Sequence, residues 1–193
     1  MCKPFIQMGT KSTIYLPAKI FEQQKLKRAG LRPTTFRVIA IDPGFERLGI
    51  AVLEKNTRGK KEELLYSECF KTKASFPFPE RLLMLGNKVR EMIVKFKPDA
   101  LAIETLFFTA NQKTAMKVSE ARGVLLYEAA RAKLKIHEYT PLQIKVAVTG
   151  YGKATKDQIN NMVEKLIVVK KKVSSDDEMD AIACGITCLA HIR

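Results

Sequence analysis

Four carboxylates stand where apolar segments begin or end. Asp42 closes Val38-Ile39-Ala40-Ile41, and Glu104 closes Leu101-Ala102-Ile103. Asp177 and Asp180 open the stretch Ala181-Ile182-Ala183-Cys184-Gly185-Ile186. A carboxylate beside a buried element is costly unless it is paired, hydrogen-bonded or bound to metal. Each has an ordinary explanation when taken singly. Asp42-Pro43-Gly44 is a good turn sequence, Glu104 before Thr105 suits a solvent-facing strand end, and Asp177 with Glu178 complements the dipole of a helix start. Taken together, three separate element ends offer hard oxygen donors of the kind that magnesium takes. Two-metal phosphodiester hydrolysis needs two ions about 4 Å apart. It also needs a bridging carboxylate and rigid supports, because small misplacements are costly. Strand ends and one helix face supply such supports, since Asp177 and Asp180 are spaced i,i+3. Asp176 is i−4 from Asp180, so helical spacing leaves both Asp176 and Asp177 open.

The surroundings are of opposite sign. The 193-residue chain has 34 Lys+Arg against 20 Asp+Glu, a net charge of +14. That excess favours a polyanionic partner, with nucleic acid ahead of an anionic membrane surface. An acidic centre in a basic chain describes a magnesium nuclease. Other chemistries fit less well. Cys2, Cys69, Cys184 and Cys188 form no C-x-x-C, and His137 and His191 complete no zinc spacing. Cys184 and Cys188, at i,i+4 on an expected helix, read as small buried thiols, and reduced cysteines suit a cytoplasmic protein. His137 reads as a core histidine of a strand. No segment approaches the roughly 20 apolar residues of a membrane span, so no membrane partner is expected. Asp-x-Gly after a strand also opens actin-like kinases, but a second Asp-x-Gly and room for a second domain are lacking. Gly150-Tyr151-Gly152-Lys153 lacks the spacing of a phosphate-binding P-loop.

The elements that must position these groups follow from periodicity and punctuation. Arg37–Ile41, Leu48–Leu53 and Leu64–Phe70 are three close apolar runs separated by turn signals, an antiparallel meander. Leu82, Leu83, Leu85, Val89, Met92, Ile93 and Phe96 have helical spacing that stops before Pro98. Asp99–Ile103 reads as a buried strand, Thr114–Lys133 as an Ala-rich helix and Leu134–Tyr139 as a further strand. Thr140 caps a short helix with Pro141 in its first turn. Thr155 and Gln158 have capping-box spacing for a helix to Val168, Lys170-Lys171-Lys172 makes a basic loop, and a helix over Asp177–Ile192 closes the chain. The order predicts an α/β domain with a five-stranded mixed sheet flanked by helices, over 36–193. Residues 1–35, with seven Lys/Arg and the single acid Glu22, are expected to be a basic, mobile extension, part helical from Pro17 to Ala29.

At this point a family resemblance becomes specific. Ile39-Ala40-Ile41-Asp42-Pro43-Gly44 followed by Gly49-Ile50-Ala51-Val52 resembles the start of a RuvC-type Holliday-junction resolvase. Ile103-Glu104-x-x-Phe107, Asn111 and Ala121-Arg122-Gly123 continue it. Glu138-Tyr139-x-Pro141, Lys145 and Val148-Thr149-Gly150-Tyr151-Gly152-x-Ala154-x-Lys156 follow in family order, and Asp177-x-x-Asp180-Ala181 closes it. The likeness runs from about Val38 to the C-terminus. It departs at Ser119-Glu120, where the family usually has Gly-Gln, and at Thr109-Ala110 before Asn111.

The resemblance implies an RNase H-like fold, a homodimer and paired, magnesium-dependent incision of four-way DNA junctions. Cutting would leave 5′-phosphate and 3′-hydroxyl ends. It implies Asp42, Glu104, Asp177 and Asp180 as ligands of two Mg2+ ions per site, with Mn2+ able to substitute. It implies Lys145 and Lys156 near the scissile phosphate and Phe107 as an aromatic stacked near the junction centre. Phe107, Asn111, Lys117, Arg122, Lys145, Lys153 and Lys156 are the expected DNA contacts. Branch-migration proteins of the RuvA and RuvB type are the expected partners. The competing expectations are an RNase H-like nuclease for structured RNA and a junction-binding module without catalysis. Four intact carboxylates argue against the latter, because an acidic cluster facing phosphates serves no purpose in binding alone.

Overall fold

Successive side chains on a strand point to opposite faces, and the strand Thr35–Asp42 (β1) builds a separate core with each. Val38 and Ala40 join one apolar cluster, whereas Ile39 and Ile41 join another, and all four are fully buried. The computed structural model describes residues 35–56, 61–105, 112–169, 173 and 175–192. The expected basic extension, Phe107, Asn111 and Lys170-Lys171-Lys172 lie outside the described residues.

β1 is followed by Arg47–Asn56 (β2) and Glu63–Lys71 (β3), then the helix Phe78–Phe96 (α1) and Ala100–Glu104 (β4). Gln112–Arg131 (α2), Lys135–Tyr139 (β5), Pro141–Thr149 (α3), Lys156–Leu166 (α4) and Asp176–His191 (α5) complete the chain. The sheet order is β3-β2-β1-β4-β5. β1, β2 and β3 pair antiparallel as the expected meander. β4 pairs parallel with both β1 and β5. Parallel neighbours need a crossover, and α2 provides the one between β4 and β5. The result is the mixed five-stranded, RNase H-like arrangement.

α1 and α2 cover the face that carries Ile39, Ile41, Ile50, Leu101 and Ile103. α5, backed by α3 and α4, covers the face that carries Val38, Ala40, Ala51, Leu53 and Ala102. The close seat of α5 depends on Gly185, where an added Cβ would lie 2.3 Å from Leu53 Cδ1 and 3.1 Å from Ala40 Cβ. Cys184 and Cys188 are buried on this helix, as expected, and burial pushes both thiols up.

Local signals set most of the boundaries. Lys97 adopts a left-handed C-cap (φ 48°) immediately before Pro98. Thr140–Gln143 and Thr155–Gln158 both form complete capping boxes. α4 ends at Leu166, two residues before the expected Val168. Val168 is instead extended: its N–H donates to the Glu62 carbonyl at 2.8 Å and its carbonyl accepts from the Leu64 N–H at 3.1 Å. This parallel bridge to β3 suits a β-branched residue better than a last helical turn. His137 lies on β5, half-buried, stacked on Tyr139 with ring centroids 6.4 Å apart.

Candidate active site

The sheet's pairing register gathers the site. Cys69 pairs with Gly49, and Gly49 pairs with Asp42. Glu104 follows Ile103, the partner of Ile41, and itself pairs with Tyr139. Alternation puts this row on the α5 face, one step beyond Ala40, Ala51 and Ala102. Asp42 and Glu104 are thus last residues of adjacent parallel strands, held by backbone pairing rather than by loops.

The first turn of α5 closes over the row. Its N-cap is Ser175, whose hydroxyl accepts from the Glu178 N–H at 3.3 Å. The approach is possible because residue 49 is glycine. A Cβ there would lie 2.0 Å from the Asp177 carbonyl oxygen and 3.1 Å from Asp42 Cβ. No side chain fits between β2 and this turn. Glu178 anchors the same turn: buried at 3% exposure, it accepts from the Ser67 hydroxyl of β3 at 2.8 Å.

The carboxylates feel one another. Burial pushes the Asp42 pKa up to about 7, and the negative charges of Glu104, Asp180 and Asp177 add to the rise. Glu104 is pushed up to about 7, by burial first and then by Asp180. Asp180 is raised by burial, with Lys156 opposing. Asp177 alone moves down, because the Arg47 guanidinium hydrogen-bonds it. Burial and like-charge crowding are both strains that a bound cation would relieve, which makes the cluster a candidate cation site.

Asp177 and Asp180 are also held by cations of the chain. Arg47, the first residue of β2, donates from Nε to Asp177 Oδ2 at 2.8 Å and from Nη2 to the same oxygen. The Cys69 thiol lies 3.4 Å from that oxygen. Lys156 Nζ stands 3.4 Å from Asp180 Oδ2 and 3.2 Å from Asp176 Oδ2. In these side-chain positions, no three acidic, His or Cys groups among the described residues already form a metal-ligating set. The donor chemistry still fits a hard divalent ion: oxygen-only carboxylates, rigid elements, and mutual repulsion that a cation would relieve. Asp42, Glu104, Asp177 and Asp180 are the residues that could hold it. The structure also separates Asp177 from its neighbour, since the Asp177 side chain is 21% exposed and faces inward whereas Asp176 is 73% exposed at the rim.

The expected DNA contacts are dispersed around this centre. Lys145 lies part-exposed on α3, Lys153 is exposed in the turn before α4, and Lys156 begins α4. Lys117 is exposed on α2, with Nζ 5.6 Å from the ring centroids of both Phe45 and Phe78. Arg122, also among the expected DNA contacts, is engaged inside the fold. It donates from Nε to the Glu104 carbonyl at 3.3 Å and pairs with Glu138, so it braces the strand end that carries Glu104. An open polar groove of about 660 Å³ flanks the Asp177 side of the centre, lined by Arg47, Ser67, Glu68, Cys69, Lys71 and Ser175, with Asp176 and Glu178 beyond.

Sequence reasoning missed Arg47, Gly49, Ser67 and Glu178 as site residues. Only Gly49 carried a signal: a glycine inside an apolar strand pattern marks a close backbone approach.

A family profile described as "Crossover junction endodeoxyribonuclease RuvC" matches residues 38–188. The crossover junction endodeoxyribonuclease RuvC of Desulfitobacterium hafniense is 43% identical over 154 residues, covering 80% of this chain and 92% of that protein. Among solved structures, T. thermophilus RuvC in complex with a Holliday junction substrate matches with a TM-score of 0.74 at 33% identity, covering 79% of this chain and 92% of that one. The yeast mitochondrial Holliday junction resolvase Ydc2 matches with a TM-score of 0.60 over 89% of this chain and 92% of that one. At 13% identity, that likeness speaks for the fold alone.

Proposed function

The chain belongs to the crossover junction endodeoxyribonuclease RuvC family, and from that membership we propose that it resolves four-way DNA junctions by paired, magnesium-dependent phosphodiester hydrolysis. At the coarser level it is an enzyme, a metal-dependent nuclease of the junction-resolving kind. The observation that carries the finer reading is the Asp42–Glu104 pair on adjacent strand ends, with Asp177 and Asp180 brought over it by α5.

Two Mg2+ ions, which Mn2+ could replace, would supply an activated water and charge stabilisation at the leaving oxygen. Asp42 sits centrally, subject to the charges of the other three carboxylates, and is the natural bridging ligand. Glu104, Asp177 and Asp180 complete the set. Lys156, tethered at the rim by Asp176 and Asp180, keeps a positive charge where phosphate negative charge must be met. Lys145 acts alongside it. Lys117, Lys153 and Asn111 contact the DNA backbone, Arg122 holds the Glu104 strand end, and Phe107 stacks on an unpaired base near the junction centre. Two copies related by a twofold axis would cut the two symmetric strands, leaving 5′-phosphate and 3′-hydroxyl ends. RuvA- and RuvB-type branch-migration proteins are the partners of this reading, and the cytoplasm its location. No described helix is long and apolar enough to cross a membrane.

The test is incubation of the purified full chain with a synthetic mobile four-way junction, a linear duplex and a structured RNA, each with and without Mg2+. Symmetric nicks in the junction alone, only with metal, are the expected result. Metal-independent cutting, or cutting of RNA in preference to the junction, would overturn the reading.

A further inference from the structure

We propose that Arg47 is a built-in cation that competes with divalent metal for Asp177 and so sets how tightly the centre binds metal; the inference rests on the metal-site reading above.

The sheet fixes where Arg47 stands. Its backbone pairs with Lys71, and it lies two residues before Gly49 on the same face of β2. The α5 turn carrying Asp177 rests directly on Gly49. Arg47 therefore meets Asp177 because of the contact that makes the site, although 130 residues separate them. Both guanidinium contacts and the Cys69 thiol converge on one oxygen, Asp177 Oδ2. While two N–H groups and their positive charge hold that oxygen it is a poor ligand for a metal ion, which competes for the same lone pairs. Of the four carboxylates, Asp177 alone is moved down, with the Arg47 bond as its first cause, whereas Asp180 is raised by burial although Lys156 bonds it. Asp42 and Glu104 have no cation within ion-pair distance among the described residues.

Arg47 also has somewhere to go. Its side chain is 48% exposed, and it lines the polar groove beside the centre. A cation held at a half-exposed site is a weak competitor, since exposed ion pairs stabilise little. Metal binding is then an exchange: the guanidinium leaves Asp177 for the groove and the metal takes its place. Arg47 is a positioning residue in this sense, acting through Asp177.

The test is calorimetric titration of the DNA-free full chain with Mn2+, and separately with Ca2+, in the wild type and Arg47→Gln. Arg47→Gln should bind metal roughly 10-fold more tightly, within the range by which outer-shell changes alter metal affinity. In an Asp177→Asn background the same substitution should change affinity by less than about twofold, because the contested ligand is gone. Arg47→Lys keeps the charge and loses the two-pronged bond, so it should fall between wild type and Arg47→Gln, and it serves if the glutamine variant folds poorly. Unchanged or weaker metal binding in Arg47→Gln, with normal binding by wild type, overturns the role of Arg47 and leaves the metal site standing. An equal gain in the Asp177→Asn background also overturns it, as that would be a general charge effect. Absence of metal binding by wild type overturns the metal-site reading itself, and the Arg47 role with it.

Discussion

Glu128 on α2 and Asp42 on β1 are carboxylates withdrawn from water in the same domain, and the fold treats them in opposite ways. Glu128 is 5% exposed and fully answered: Arg90 of α1 donates to it from Nε at 3.1 Å and Nη2 at 2.7 Å, and Arg131 Nε lies 3.6 Å away. Asp42 faces three further carboxylates, and the charge that opposes them there, Lys156, has the smallest effect upon it. A carboxylate that ties two helices together carries its own counter-ion. In the proposed reading, Asp42 leaves its counter-ion to a bound metal. The chain contains arginines enough to neutralise both places, so shortage does not account for the difference, whereas the proposed metal site does.

The largest effect should come from changing Asp42. Asp42→Asn should lower junction cleavage by about 10³-fold or more, since a charge that must be supplied to the reaction is removed. Junction binding should persist or tighten, because repulsion of phosphate falls, and the metal-free protein should melt higher at pH 8. Cleavage at the wild-type rate, or a lower melting temperature with intact binding, would place Asp42 in the same class as Glu128.

The pH dependence of metal-free stability sharpens the same contrast. Asp42 and Glu104 have folded-state pKa values raised to about 7 from ordinary values of 3.8 and 4.5. Between those limits the folded state holds more protons than the unfolded chain. Their contribution is therefore fully present below about pH 4 and is lost as pH rises through 7. With EDTA present, the melting temperature should fall between pH 5 and pH 8. Saturating Ca2+ should flatten the fall, because the ion replaces the protons. A metal-free melting temperature that rises over this range would break the comparison.

The smallest effect should come from the other region. Arg90→Ala removes the better of the two partners of Glu128 and should cost about 1–3 kcal/mol in urea unfolding. Metal affinity should not change, because this pair lies in the α1–α2 layer across the sheet from the centre. A shift in metal affinity as large as that expected on changing Arg47 would mean that the two layers are coupled.

Much of this was legible in the sequence, for identifiable reasons. β1, β2 and β3 follow from short apolar runs punctuated by Gly44 and by the charged stretch from Asn56 to Lys61. α1 follows from Leu85, Val89, Met92 and Phe96 at helical spacing before Pro98. Asp42 and Glu104 could be singled out because a charge at the end of a buried run is anomalous wherever the run leads. These are local signals, carried by residues within one element. Val168 shows where local signals stop: helical by continuation from α4, it was taken instead by the edge of β3.

The sequence by itself determined which element ends carry carboxylates, that the chain is basic around them, and which family it resembles, because all three are written in residue order. Helical spacing with Asp180 left Asp176 and Asp177 both open, and it was the family resemblance that pointed to Asp177. What only the tertiary structure decided is how the two are placed: the first turn of α5 is seated on Gly49, Asp177 lies against Arg47 and Cys69, and Asp176 stays exposed at the rim. The same seat buried Glu178 against Ser67, 111 residues away, and brought Arg47 to Asp177 across 130. Those partners are chosen by sheet register and by the absence of one Cβ, and contacts so distant leave no period or spacing in the chain to be read.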